Sequence, residues 1–289
     1  MTAPLLELVQ ARIDVEGVPA VDGLSLKTTG DRVLVLGGAK ALFEAACGTR
    51  TPSHGEVRVR GVPARQAARR RHVAGAPLEP PLSPSWTPRE YATWSARIAG
   101  QGRKEAIALA ERSLTELKMI ATAGEKLGSA SLQTRRATII AAALATGADA
   151  ILLEEPLIGL SDDAARNFSR IILRALDGRG WAVFCARMPL ESPFAMDAEE
   201  AAVVARSRVL AQGAPAELAA HERTYALRVL GHADDFARLV AERGARVSGS
   251  GNHLTIDLGE GLLVSDLLRI AAQAEATVLE LEPLAHAFA

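Results

Sequence analysis

LGSASLQTRRATIIAAALATGADAILLEEPLIGLS, residues Leu127–Ser161, contains a helix pattern followed by a strand pattern. The alanine-rich segment Arg135–Leu144 favours a helix, and Ala150–Leu153 is a continuous apolar run typical of a fully buried parallel strand. Glu154 and Glu155 come next, before a proline that ends the strand. This order predicts two carboxylates at the carboxyl edge of a parallel sheet, where open α/β folds place their ligand sites. A solvated strand end is the alternative for an isolated Glu-Glu-Pro.

The composition of the chain limits the classes of protein to consider. Its 289 residues suffice for one α/β domain and a small second domain. With 33 basic and 34 acidic residues, no charge bias favours nucleic acid as a partner. Cys47 and Cys185 lie in apolar segments and are predicted to be buried thiols in a reducing cytoplasm. Neither they nor the six histidines have the spacing of metal ligands.

The sequence pattern gives no sign of a targeting or membrane-spanning segment. The opening residues, MTAPLLELVQARIDV, lack the basic start and apolar core of a signal peptide. No uninterrupted apolar segment approaches the ~18 residues of a membrane span, since Gly147 and Asp149 interrupt the best candidate. We therefore expect a soluble, cytoplasmic chain that contacts a membrane only through a partner.

Short strand and turn patterns occupy the first part of the chain. Leu5–Val15 and Gly23–Thr28 are predicted strands separated by a turn. Asp31–Leu36 is a third predicted strand, and Ala41–Cys47 is a predicted helix. A basic run over residues 65–71 is interpreted as a solvated face rather than a nucleic-acid contact, because the chain as a whole is near neutral.

The connection between that third strand and the helix bears on phosphate binding. A phosphate loop has the form G-x-x-x-x-G-K-[ST], in which consecutive backbone N–H groups surround the phosphates. This chain has only Gly37-Gly38-Ala39-Lys40-Ala41, so four residues of the motif are missing between Gly37 and Gly38. The sequence therefore predicts a tight glycine turn from strand to helix. Weak anion binding at the helix N-terminus, with Lys40 as the phosphate ligand, is the alternative.

The stretch that ends at Ser161 resembles the signature helix, Walker B strand and following loop of ATP-binding cassette (ABC) ATPases, the motor subunits of ABC transporters. In that family L-S-G-G-Q opens the helix, the strand ends in Asp-Glu-Pro, and S-G-L-D follows. Here Ala130–Thr134 reads ASLQT at the signature position, with both glycines lost, and Ile158–Ser161 replaces the last loop. Glu154 stands at the position of the magnesium-associated Asp, and Glu155 at that of the water-activating Glu.

The resemblance assigns candidate roles to individual residues, and several other positions depart from it. It implies Glu155 as the catalytic position, Glu154 as the metal position, and Gly38 and Lys40 as nucleotide-binding positions. The glutamine that senses the γ-phosphate is replaced by a leucine at position 78, and the switch histidine by an arginine at position 187. An aromatic residue that would stack on adenine is missing near residue 15.

Two further segments match parts of the family outside the nucleotide site. The proline-rich segment Val73–Pro84 resembles the loop that carries the γ-phosphate sensor. Trp86, Tyr91 and Trp94 then lie at the start of a predicted helix and the segment after it is amphipathic. In the family this helical subdomain docks onto the transmembrane partner. The alternative is that these aromatic residues only form core.

The last part of the chain follows a different pattern. From about Thr224 the sequence reads strand, helix, strand, strand, helix, strand, with a hairpin turn at Gly249–Asn252, which predicts a ferredoxin-like unit. It resembles the C-terminal extension of ATPases that drive exporters of the drug, polysaccharide and gliding-machinery type. The predicted fold class is therefore α/β, with a degenerate ABC ATP-binding cassette over residues 1–221 and a small ferredoxin-like α+β accessory domain over residues 222–289. The cassette is expected to combine an antiparallel β subdomain, a mostly parallel core sheet and a helical subdomain.

The resemblance and its departures together predict a function. Family members bind two ATP molecules between paired subunits, and loss of both the loop and the signature glycines would disable both sites. The leading hypothesis is a pseudo-ATPase without cofactor, which acts as a scaffold or regulatory subunit of a membrane export complex. Its expected partners are a transmembrane permease subunit and either an active ABC ATPase subunit or a second copy, at the inner face of the cell membrane.

Two alternatives stay open. The first is a slow but genuine ATPase that binds ATP and Mg²⁺, with Glu155 as the base and Lys40 as a phosphate ligand. The second is a stand-alone binding or signalling module that uses the ferredoxin-like domain.

Overall fold

A computed structural model describes residues 3–219, 223–259 and 261–283. In chain order the strands are β1 (Leu6–Val15), β2 (Val18–Lys27), β3 (Arg32–Leu36), β4 (His54–Val59), β5 (Val62–Pro63), β6 (Val73–Ala76), β7 (Ala150–Glu154), β8 (Gly180–Cys185), β9 (Glu200–Val204), β10 (Val209–Gly213), β11 (Thr224–Leu230), β12 (Arg246–Ser250), β13 (His253–Asp257) and β14 (Thr277–Pro283). The helices are α1 (Ala39–Ala46), α2 (Ala64–Arg69), α3 (Pro88–Ile98), α4 (Arg103–Glu116), α5 (Leu132–Ala145), α6 (Asp162–Ala175), α7 (Pro193–Asp197), α8 (Pro215–Ala219), α9 (Ala233–Glu242) and α10 (Val264–Gln273).

The core sheet has the strand order β10-β9-β3-β8-β7-β6. Strands β6, β7, β8, β3 and β9 run parallel, and β10 is antiparallel to β9. Every residue of β7 and β8 is buried, as expected for strands covered on both faces. The prediction of a buried parallel strand over Ala150–Leu153 is confirmed, and the strand extends through Glu154.

Each face of the core sheet packs against a different layer. Leu153 and Val183 share a cluster with residues of α5 and α6, such as Ile140 and Phe168. The alternate residues of the same strands, Leu152 and Phe184 among them, pack instead against α1 and the antiparallel sheet. That second sheet has the order β2-β1-β4-β5 with antiparallel neighbours. The alternation of side chains along β7 and β8 therefore places the sheet between two apolar layers.

Of two segments before the helical subdomain, the basic one has the predicted solvated face and the proline-rich one differs from its prediction. The basic run over residues 65–71 lies mostly in helix α2, whose Ala64 and Ala67 are buried while its arginines face solvent. The proline-rich segment expected as a loop begins with β6, which pairs in parallel with β7 at the edge of the core sheet. The prolines begin only after this short strand, so the prediction of a loop over the whole segment is wrong at its start.

The helical subdomain begins at a well-defined cap. Thr87 accepts a hydrogen bond from the Glu90 N–H, and the Glu90 carboxylate accepts one from the Thr87 N–H, at 3.2 and 2.8 Å. Trp86, Tyr91 and Trp94 form one aromatic cluster, with ring centroids 5.4 to 6.1 Å apart.

In the described residues no helix is long and apolar enough to cross a membrane.

The C-terminal part confirms the predicted ferredoxin-like topology. Its four-stranded sheet has the order β12-β13-β11-β14 with antiparallel neighbours. Apolar residues from α9 and α10 cover one face, where Phe236, Ile270, Leu227 and Ile256 form a separate core cluster. The predicted boundary between residues 221 and 222 falls on positions outside the described residues, so the division into two domains stays a prediction.

Candidate functional site

Glu154 lies at the carboxyl end of β7 and is buried, with 6% of its surface exposed. Its Oε2 accepts a hydrogen bond from the backbone N–H of Leu78 at 2.9 Å. The carbonyl oxygen of Leu78 accepts a second one, at 2.6 Å, from Nη1 of Arg136 on helix α5. Leu78 occupies the position expected for the γ-phosphate sensor, and its backbone is therefore held by two charged side chains.

Glu155 is engaged in a similar way with the other loop of the site. Its Oε1 accepts a hydrogen bond from the Ala186 N–H at 2.7 Å, next to the arginine at the switch position. Its own N–H donates to the carbonyl oxygen of Phe184 at 2.9 Å. Burial raises the pKa of Glu155, and the charge of Glu154 adds to this rise, whereas the Ala186 N–H and the Arg136 charge oppose it.

The connection between β3 and α1 is the tight glycine turn that the sequence predicts. Strand β3 ends at Leu36 and α1 begins at Ala39, so Gly37 and Gly38 alone separate them. Both have positive φ, 93° and 57°, and a Cβ at Gly37 would clash with the carbonyl oxygen of Val204. The Gly37 N–H donates to Cys185 O at 3.0 Å. One of the few N–H groups in the turn is thus already bonded within the sheet.

Three of the four candidate residues line two separate cavities. Lys40 and Glu154 line one cavity of about 510 Å³, together with Leu78 and Tyr91. Glu155 lines a different cavity of about 470 Å³ that also contains the arginine at the switch position, and Gly38 is among the lining residues of neither. In the described part of the chain Lys40 makes no ion pair. The structure therefore brings together Lys40 and Glu154, but not the whole predicted set.

The signature position forms a helix cap. Ser131 is the N-cap of α5, and its Oγ accepts a hydrogen bond from the Thr134 N–H at 3.1 Å. Its hydroxyl also lies 2.9 Å from that of Thr134. One N–H group at the start of α5 is therefore already bonded to a side-chain hydroxyl of the same helix terminus.

Sequence reasoning missed Arg136. This residue stands at the beginning of an otherwise apolar, alanine-rich run, and its Nε is buried without a hydrogen-bond partner among the described residues. Burial lowers its pKa. The sequence did contain a signal for this role: an arginine on an apolar helix face needs a buried hydrogen-bond acceptor. The acceptor, the carbonyl of Leu78, is 58 residues away in sequence.

The geometry allows a direct test of whether ATP and Mg²⁺, the groups that the cassette fold implies, fit these residues. A phosphate loop needs several consecutive free N–H groups, a lysine and a hydroxyl. The two-residue turn provides no such series, and an alanine, Ala41, follows Lys40 where the motif has its hydroxyl. The present residues do not supply the usual phosphate cradle.

The core sheet, the antiparallel sheet and the helical subdomain define the ATP-binding cassette class of protein. A solved ATP-binding cassette of an ABC transporter covers 75% of this chain and 94% of its own length, with a TM-score of 0.65 at 17% identity. A subunit of the cbiONQ ABC transporter complex of Clostridium perfringens matches 84% of this chain and 96% of its own length, with a TM-score of 0.64 at 16% identity. At these identities the likeness concerns the fold.

Sequence relatives identify the family. The Nod factor export ATP-binding protein I of Burkholderia thailandensis is 32% identical over an alignment of 209 residues, and the match covers 68% of this chain and 67% of that protein. A putative ABC transporter ATP-binding protein of Methanopyrus kandleri is 28% identical over an alignment of 222 residues, and the match covers 70% of this chain and 78% of that protein. The chain belongs to the family of ABC transporter ATP-binding proteins. No protein-family model matches it.

Proposed function

We propose that this chain is a pseudo-ATPase, a cassette subunit that serves as scaffold or regulator of a membrane export complex. The observation that carries the proposal is the connection of two residues between β3 and α1, where ATP hydrolysis needs a long phosphate loop. Such a loop works through its backbone, so no change of side-chain rotamer can replace it.

The two carboxylates support the same proposal. Glu154 and Glu155 accept hydrogen bonds from the N–H groups of Leu78 and Ala186, in the two loops that sense the γ-phosphate in the family. In this chain, internal hydrogen bonds hold both loops in place. We infer that the positions of these loops no longer depend on nucleotide.

A transmembrane permease subunit is the partner that the helical subdomain fits. Trp94 and Ile98 lie one turn apart on α3 and are 47% and 66% exposed, and Ile107 on α4 is 45% exposed. Large apolar side chains in this arrangement are typical of a protein contact. The name of the Burkholderia relative also refers to export. We place the chain at the inner face of the membrane, bound through this surface and paired with an active ABC ATPase or a second copy.

A slow ATPase is the second candidate. Two observations favour it: the raised pKa of Glu155, which makes this carboxylate a stronger base, and the shared cavity of Lys40 and Glu154. In that case ATP and Mg²⁺ would bind at Gly38, Lys40 and Glu154.

Nucleotide binding separates the two candidates. The measurement is calorimetric titration of the full chain with ATP and Mg²⁺, at concentrations that detect a millimolar Kd, with an ABC ATPase that has an intact loop as control. A pseudo-ATPase gives no heat above dilution and no rise in Tm at several millimolar ATP. A Kd in the micromolar range would overturn the proposal.

A pair of substitutions tests the role in the transport complex. Glu155→Gln keeps an oxygen that can accept from Ala186 but removes the base. A scaffold tolerates it, so transport and copurification with the permease should match those of the unaltered chain. The control is Trp94→Ser, which should reduce copurification with the permease while the free chain stays folded. Loss of transport in Glu155→Gln, with normal assembly, would instead support the ATPase.

A further inference from the structure

A cavity of about 480 Å³ lies between the cassette and the ferredoxin-like sheet. One side is the turn between β9 and β10, with Arg206 and Arg208. The other side is formed by strands β11, β13 and β14 of the accessory sheet, on which Ala226 packs against the core of the cassette. The cavity is thus built from parts of the chain that the nucleotide site does not use.

Two guanidinium groups in this cavity have no carboxylate partner among the described residues. Arg208 donates from Nη1 and Nη2 to the carbonyl oxygens of His253 and Leu254, at 2.8 and 3.0 Å, while its Nε is buried without a hydrogen-bond partner. No carboxylate in the described residues forms an ion pair with it. The side chain of Arg206 makes no ion pair or hydrogen bond within the described part of the chain. A half-buried arginine that meets only neutral acceptors leaves its charge uncompensated.

Apart from Glu282, the other carboxylates of the cavity are already paired with arginines other than Arg206 and Arg208. Arg228 is paired with Glu280 at 2.7 Å, and Asp22 is paired at 3.7 Å with Arg12, which does not line the cavity. Burial and the nearby charges of Arg208 and Arg228 lower the pKa of His253, whereas the charge of Glu280 opposes this shift. Glu282 is the one lining carboxylate that makes no ion pair in the described residues.

We propose that this cavity binds a small anion, carrying a phosphate or carboxylate group and at least one hydrogen-bond donor. Arg206 supplies the donors for the anionic oxygens, since a guanidinium group pairs with planar carboxylate and with phosphate through parallel hydrogen bonds. The charge of Arg208 beside it attracts the same oxygens. Glu282 accepts from the donor of the ligand. Because the site takes residues from the cassette and from the accessory sheet, a bound anion holds the two together. The nucleotide site has no part in this contact.

Thermal unfolding of the full chain in sodium phosphate tests the site, since inorganic phosphate carries both anionic oxygens and a P–OH donor. The reference is sodium chloride at equal ionic strength, which separates specific binding from screening. Phosphate above its Kd should raise Tm by a few degrees. Arg206→Gln should weaken phosphate binding about tenfold, the usual effect of losing one charge-assisted contact. Arg206 is exposed, so this substitution leaves the fold intact.

Arg246→Gln is the matched control, because Arg246 is an exposed arginine on the edge strand β12 and does not line the cavity. Its phosphate response should equal that of the unaltered chain. Citrate, tested in parallel, distinguishes the source of the anion: a larger shift with phosphate indicates a phosphorylated ligand, and a larger shift with citrate a carboxylate. Equal shifts in phosphate and chloride, or an unchanged response in Arg206→Gln, would overturn the proposal.

Discussion

Glu154 has a structural role that differs from metal binding. It is buried, and its oxygen accepts the N–H of a loop 76 residues earlier in the chain. Removing the acceptor of this N–H group destabilises the fold, because the donor is left without a partner. A neutral acceptor of the same shape keeps the hydrogen bond and avoids the cost of burying a charge. The side chain can therefore be replaced by glutamine more readily than by alanine.

We predict that Glu154→Ala lowers the free energy of unfolding by about 1–3 kcal/mol, because the Leu78 N–H is left without its partner. Glu154→Gln should change it by less than about half of that, since the amide oxygen can still accept. Urea denaturation of both variants measures the difference. Equal losses in the two variants would show that the charge, not the hydrogen bond, matters.

The raised pKa of Glu155 gives a prediction about pH. A carboxyl group whose pKa is raised in the folded state binds its proton more tightly there than in the unfolded chain. Its contribution to stability is therefore full below the ordinary value of 4.5 and is lost as the pH rises through the raised folded value. Glu155→Gln removes this titration. The stability of the variant relative to the unaltered chain should accordingly increase between pH 4 and pH 7.

Urea midpoints of both proteins across this pH range test that sign. Glu191→Gln is a suitable control, because Glu191 makes no ion pair in the described residues. A difference between the unaltered chain and Glu155→Gln that stays constant with pH would mean that Glu155 titrates as it does in the unfolded chain.

Secondary-structure elements could be predicted where the local sequence alone determines the structure of a segment. The apolar run of β7, the capped start of α3 and the hairpin after β12 all follow from local patterns. Strand β6 was not predictable in this way, since its four residues form a strand by pairing with β7, which lies far along the chain. The contacts of Arg136 and Glu154 could not be predicted either, because a sequence pattern cannot indicate which distant backbone group will lie beside a side chain.

At the scale of elements, the turn between β3 and α1 depends on glycine at one position more than at the other. Gly37→Ala should lower stability by about 2–4 kcal/mol, because φ is 93° and the new Cβ would meet the carbonyl oxygen of Val204. Gly38→Ala should cost only about 1–2 kcal/mol, since φ is 57° and the nearest atom, Leu42 Cδ1, is 3.3 Å away. Denaturation curves of both variants provide the comparison. If both substitutions lower stability by similar amounts, Gly37 does not approach the end of β9 as closely as the structure shows.

The molecule as a whole combines an α/β cassette with a ferredoxin-like sheet, and two side chains of the described residues illustrate how they are joined. The packing of Ala226 on the cassette core is one contact, and Arg208 is another. The guanidinium of Arg208 reaches from the end of the core sheet to two carbonyl groups of β13. Charged hydrogen bonds of this kind are individually stronger than neutral ones. The coupling between the two parts should therefore depend on this one side chain.

We predict that Arg208→Ala uncouples the accessory sheet from the cassette in thermal unfolding. The substitution removes two hydrogen bonds between the parts, each with a charged donor and worth about 1.5–3 kcal/mol. Scanning calorimetry should show the accessory sheet melting in a separate, earlier transition while the cassette transition stays in place. Arg228→Ala is the control, because its exposed ion pair with Glu280 lies within the accessory sheet and contributes at most about 1 kcal/mol. If Arg208→Ala leaves one transition at an unchanged temperature, apolar packing around Ala226 is what joins the two parts.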